Sequence, residues 1–189
     1  MGCFNQGTAH WPEDKSIMRL IPGILIALVI VRPSPSLGQN SPESRATLAG
    51  IRGVVVYVDT LSSDMPQRGM TRDALKLKVE RHLRDAGVPV FDVPLQERVP
   101  GDPMLILGVT TFFDEPNRKC VCSLRLECTQ TVRLDRSPGY VVFGVPTWSV
   151  ARVGLYTNRW REEMIEDINS LTDEFIDAYY YRGSPFAGR

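Results

Sequence analysis

The sequence predicts an α/β (α+β) fold: a two-layer sandwich in which a mixed sheet of about five strands carries two helices on one face. Three observations predict it. Val54 to Val58 is a β-branched and aromatic run, followed by a helix-period segment and a second short apolar run. From Cys120 to Leu134 apolar and polar residues alternate. From Met164 to Tyr179 apolar residues recur at helical spacing. The expected order is β-α-β-β-β-β-α.

The elements follow in chain order. In Leu48–Thr60, Val54, Val55, Val56, Tyr57 and Val58 place apolar side chains on both parities, which predicts a central strand covered on both faces. Residues 60–70 are turn formers. Thr71 is a candidate N-cap, with Asp73 in the first turn. Leu75, Val79, Leu83 and Ala86 share one helical face. Gly87 and Pro89 stop the helix. Val88 to Val93 reads as a short strand, so this unit predicts a parallel pair joined by a helix.

Pro94–Pro103 is a connection. MLILGVTTFF then reads as another strand buried on both faces. In Cys120–Leu134 the even positions are mostly apolar and the odd ones mostly polar, which predicts a strand with one wet face. Arg136–Gly139 is expected to turn the chain. Tyr140 to Val153 returns as the partner strand, with Gly144 and Pro146 marking a bulge or an edge. Thr157 or Asn158 is expected to cap the last helix. Its stripe is Met164, Ile168, Leu171, Phe175 and Tyr179, with acids outside it.

The amino terminus reads as an address. Met18-Arg19 precedes an apolar run from Leu20 to Val31, and Arg32–Gly38 is polar, with Ser36 and Gly38 as the small residues at the two positions needed before a cut. This is the three-part pattern of a secretory signal, with cleavage expected between Gly38 and Gln39. The run is short for a membrane span, which needs about 18 or more apolar residues. Retention as an uncleaved anchor is the alternative. Residues 1–17 carry Glu13 and Asp14 and read as an over-extended or disordered start, with Met18 as the expected true start. Gln6 stands where a myristoylation signal wants Ser or Thr, and no Cys follows the apolar run. The expected organisation is 1–17 extension, 18–38 signal, 39–47 flexible lead-in, 48–182 one α/β domain and 183–189 loose tail. The expected location is periplasmic or secreted.

The 189 residues hold 43% hydrophobic and 23% charged side chains, ordinary globular usage. Lys+Arg 22 equals Asp+Glu 22, so bulk charge offers no argument for nucleic acid or an anionic surface. Two histidines limit histidine chemistry.

Cys120, Cys122 and Cys128 lie on one strand face. They read first as reduced core cysteines, then as partners in some disulfide, and last as metal ligands. In an extended strand Cys122 and Cys128 sit roughly 20 Å apart at about 3.3 Å per residue, too far to bridge. His82 reads as the partly buried flank of a helix rather than a catalytic base. Arg125, Arg133 and Arg136 share a strand face with Glu127 and Asp135, so a solvated surface outweighs an anion site. Asp59, Asp64 and Asp73 fit turn and cap roles better than an acid–base site. Trp148 and Trp160, with Tyr179, Tyr180 and Tyr181, divide between core packing and an exposed contact surface.

The stretches LAGIRGVVVYVD, VERHLRDAGVPV, VPGDPMLILGV, Gln130–Leu134, Thr147-Trp148 and DEFIDAYY resemble a family of small exported bacterial proteins of uncharacterised function. More distantly, the strand–helix–AGVPV unit looks like envelope domains such as the amino-terminal domain of TolB and the outer-membrane lipoproteins that activate penicillin-binding proteins. The resemblance implies a domain that binds proteins without catalytic residues.

The expected function is therefore an exported, non-enzymatic envelope protein acting by protein–protein contact. Arg125, Arg133, Trp148 and Trp160 are the candidate contact residues. No catalytic residue, metal or cofactor is assigned, and no nucleic-acid or lasting membrane partner is expected. The alternative is a small envelope hydrolase with a carboxylate-based site.

Overall fold

In the computed structural model, residues 40–92, 100–114 and 119–181 are described here. The segments 1–17 and 18–38, with the cleavage position at Gly38 and Gln39, lie outside the described residues, as do 93–99 and the tail 183–189.

The chain runs through α1 (Pro42–Ala46), β1 (Val54–Val58), α2 (Arg72–Asp85), β2 (Val90–Phe91), β3 (Met104–Asp114), β4 (Lys119–Leu134), β5 (Ser137–Tyr156) and α3 (Trp160–Tyr179). One five-stranded sheet has the order β2-β1-β3-β4-β5. β1 pairs in parallel with both β2 and β3, and the other pairings are antiparallel. The sheet is therefore mixed, as expected. α2 and α3 pack on one face of it through Leu75, Val79, Leu83, Met164, Ile168, Leu171 and Phe175, which join the even residues of β4 in one core.

Local chemistry explains the ends of α2. The Thr71 side chain accepts a hydrogen bond from the Ala74 amide, one of the otherwise unpaired amides of a first turn. At the other end Gly87 takes φ +81°, the left-handed conformation that closes a helix with little strain in glycine.

Several local expectations are corrected. Within the stretch read as a lead-in, Pro42–Ala46 forms a helical turn capped by Ser41. Serine followed by proline is an ordinary helix start, but five residues show no period to read. The turn between β4 and β5 is Asp135-Arg136, so Ser137 to Gly139 belong to β5, with Ser137 opposite Leu134. The residue before α3 is Arg159, without a side-chain cap; Thr157 contributes its carbonyl to the Trp160 amide instead.

The largest correction concerns coverage. β3 is not enclosed on both faces, and β1 only in part: Val55 is buried on the side away from the helices, but Tyr57, its neighbour on that face, is not. Leu105, Leu107 and Val109 are buried under the helices, while Tyr57 and Phe112 stand exposed on the other side. Both helices lie on one face, so every second residue of β1 and β3 faces outward whatever its polarity. β4 follows its expectation: Cys120, Cys122, Leu124, Leu126 and Cys128 point inward. β5 is an edge strand. Its register slips at three places: at Thr147 next to Pro146 and beside Gly144 (φ +64°), where the sequence places a bulge, and again between Val141 and Ser137 close to the turn.

Candidate functional site

The open face of the sheet is built by register. Phe112 lies opposite Val121, and Val121 opposite Leu155. One step along, Thr110, Ser123 and Val153 form the next row on the same face. Phe112 is 70% exposed, and Val121, Val153 and Leu155 are exposed beside it. Directly opposed side chains on one sheet face lie about 5 Å apart, so these residues form one apolar patch. The rows beyond it, Gly108–Arg125–Ala151 and Ile106–Glu127–Ser149, set the Arg125–Glu127 pair among small and apolar neighbours, with Glu127 buried.

The second feature is an arm. β3 begins at Met104, opposite Thr129, so β4 and β5 continue past it without a third strand. The Thr131 amide donates to the Gly101 carbonyl at 2.6 Å, the last tie to the body. Beyond it the ribbon projects roughly 13 Å, at about 3.4 Å per residue, to the Asp135-Arg136 turn. Tyr140 (71% exposed), Val141, Val142 and Phe143 (75% exposed) lie on it. Val142 pairs with Val132 and Val141 with Arg133, so neighbouring apolar groups project to opposite sides of the ribbon. Among the described residues, all the exposed large hydrophobic residues except Leu77 and Tyr180 lie on the open face or on this arm.

The four candidate contact residues do not form one site. Arg125 lies on the open face and pairs with Glu127 at 3.2 Å. Arg133 is exposed on the arm. Trp148 is fully buried on the helix side of β5, so it offers no contact surface. Its ring meets Phe175 edge-on at 5.3 Å, and its indole donates to Asn40 Oδ1 at 3.0 Å. Trp160, at the start of α3, is half-buried against Phe113, with ring centroids 5.1 Å apart. Together with Arg68 and Cys120 it lines a cavity of about 200 Å³. The two tryptophans therefore face the helix layer, away from Arg125. The residues that sequence reasoning missed are Phe112, Val121, Val153, Leu155 and Tyr140–Phe143. Two helices cannot cover two sheet faces, and that count was the available signal.

Other candidate chemistry resolves into structural roles. Cys120, Cys122 and Cys128 are free thiols buried in the core. Burial pushes Cys122 and Cys128 up to about 12, and raises Cys120 as well. His82 flanks α2 with Nε2 2.6 Å from Asp173 Oδ1, tying α2 to α3. Asp59 accepts from the Thr60 amide, and Asp73 sits in the first turn of α2. The Ser62 hydroxyl, with Arg68 beside it at 3.3 Å, holds Asp64 below the usual carboxylate range.

The carboxylates that converge, Asp167 and Glu174, meet Arg152 at 2.7 Å and 3.2 Å, and Asp167 also accepts from the Tyr156 hydroxyl. This network fastens the end of β5 to α3. Among the described residues no group of three potential metal ligands assembles, and no helix is long and apolar enough to cross a membrane.

No family model matches the chain, and no curated protein matches it. Solved structures with a distant likeness include two PelC dodecamers from Paraburkholderia phytofirmans. A single-residue variant is 16% identical over 70% of this chain and 90% of its own, with a TM-score of 0.42. A second crystal form is 14% identical over 70% and 91%, with a TM-score of 0.40. Scores this low define neither a shared family nor a shared role.

Proposed function

We propose that this chain is an exported envelope protein, periplasmic or secreted, that works without catalysis by binding another protein through its open sheet face and the β4–β5 arm. The observation that carries the reading is the concentration of exposed apolar groups there. Solvent-exposed Phe112, Tyr140 and Phe143 leave apolar area in water that an ordinary soluble surface keeps small. Large aromatic groups of this kind anchor protein interfaces. Exposed Arg125, beside the patch, would form part of the rim. Export rests on Leu20–Val31 and the polar segment that follows it.

The test is affinity capture from envelope fractions with the native chain, beside a variant carrying Phe112→Ser and Phe143→Ser. Neither substitution touches the core, so circular dichroism should be unchanged. The expected outcome is a reproducible partner that the variant recovers at least about tenfold less, the loss of about 1.4 kcal/mol or more that an interface anchor supplies. Amino-terminal sequencing of the recovered chain should begin at Gln39. Equal capture by both forms, or no partner alongside turnover in hydrolase panels, overturns the reading.

A further inference from the structure

We propose that the carboxyl-terminal half of β5 pairs antiparallel with the same segment of a second copy, across a two-fold axis at Val153. The register of the sheet leads to this segment. The Val55 amide donates to the Pro103 carbonyl and the Asp59 amide to the Leu107 carbonyl. Odd residues of β3 therefore turn their peptide groups toward β1, and even ones toward β4. Carried across the pairings, even residues of β4 face β5, and residues 148, 150, 152, 154 and 156 of β5 face β4. Ala151, Val153 and Leu155 thus turn N–H and C=O away from the sheet. Among the described residues no hydrogen bond satisfies them.

Proteins blunt such edges with proline, bulges, charges or a covering element. On β5 these devices are concentrated before Trp148. Pro138 and Pro146, the slips beside Gly144 and at Thr147, and the Thr47 hydroxyl on the Thr147 carbonyl all fall there. The segment Val150–Tyr156 has neither proline nor slip. Its one charge, Arg152, points to the helix side, where Asp167 and Glu174 neutralise it.

The occupant follows from the match of this segment with itself. With Val153 opposite Val153, Ala151 falls opposite Leu155. All three outward residues of each copy then exchange both hydrogen bonds with those of the other. On the helix side Arg152 comes opposite Gly154. A shift to an axis at Arg152 would set two guanidinium groups face to face, and a shift to Gly154 would leave Ala151 outside the matched set. The chosen register also places Val153 and Leu155, both exposed on the open face, against Val153 and Ala151 of the second copy, so the patch continues across the junction. This goes beyond the proposed contact role, because Phe112 and the arm stay open in the pair.

The test uses the exported chain beginning at Gln39, whose cysteines are the buried core thiols Cys120, Cys122 and Cys128. Sedimentation equilibrium should give twice the chain mass. Val153→Lys should weaken the dimer at least about a hundredfold without changing the far-ultraviolet spectrum, since like charges then oppose each other at the axis. Val153→Cys should cross-link with a short bifunctional thiol reagent. Ser149→Cys should not, because the two copies of that position lie roughly 27 Å apart at about 3.4 Å per residue. A monomer at high micromolar concentration, a dimer indifferent to Val153→Lys, or equal cross-linking at Ser149→Cys overturns the proposal. Loss of the dimer with capture intact would leave the contact role standing, and Phe112→Ser with Phe143→Ser should leave the dimer intact.

Discussion

Replacing Trp148 with Ala is expected to lower the free energy of unfolding by about 3–5 kcal/mol, the range for a buried aromatic truncated in a packed core. Trp148 is among the largest fully buried side chains and joins three parts of the fold. It lies on β5 opposite Cys128, under Phe175 of α3, and donates to Asn40 ahead of α1. The substitution removes apolar area from the core, leaves a cavity and breaks an edge-on aromatic pair worth about 0.5–1.5 kcal/mol beyond its area. Asn40 keeps a second partner, since the Arg45 guanidinium donates to the same Oδ1 at 2.8 Å, so the polar loss is small beside the packing loss. Urea unfolding followed by circular dichroism measures the effect. Trp160→Ala, at a half-buried position, should cost less than half as much, given that the transfer term scales with the area removed from water. Equal effects at the two positions would contradict the placement of Trp148 in the core.

Trp148 also shows where sequence reasoning stops. The alternation in β4 is readable because one face is apolar and the other polar, so strand, length and inward face all follow from the order of residues. The same logic fails for β3. Met104 to Phe113 is apolar on both parities, and a buried strand reads identically to a strand whose outer face is apolar for another reason. The difference lies in what covers that face, a property of the whole fold. Phe112 is therefore legible as apolar and illegible as exposed. Trp148 presents the reverse case. An indole suits a core or an interface equally, and its position on the helix side depends on slips of register that Gly144 and Pro146 announce without counting. α2, with a capping threonine, a heptad-like stripe and a terminal glycine, was legible almost to the residue. The arm was not, because its projection depends on where β3 begins.

The buried thiols set the second large effect, a loss of stability in alkaline solution. Cys122 and Cys128 rise from the ordinary value of 9.0 to about 12 because the core strips water from the thiolate. Cys120 moves the same way, and burial together with the hydrogen bond to Asp167 raises Tyr156. In the unfolded chain the thiols lose their protons around pH 9; in the folded chain Cys122 and Cys128 keep them until about pH 12. Below about pH 9 both states are protonated and these groups add no pH dependence. Above it the unfolded state binds fewer protons than the folded one, so stability falls with rising pH. Each shifted group adds about 1 kcal/mol per pH unit to that slope, and the two act together. Raising the pH by about two units past the unfolded value should then remove several kcal/mol, comparable to the whole stability of a marginal domain. Urea midpoints measured from about pH 8 to pH 11 should hold level and then drop. A variant carrying Cys122→Val and Cys128→Val fills similar volume without a titrating proton, so its drop should shrink to the share left to Cys120 and Tyr156. An unchanged drop in that variant would move the cause elsewhere. A flat wild-type profile would mean that the inward face of β4 admits water, which would also undo the one-sided burial that exposes Phe112 and Leu155 on the opposite face.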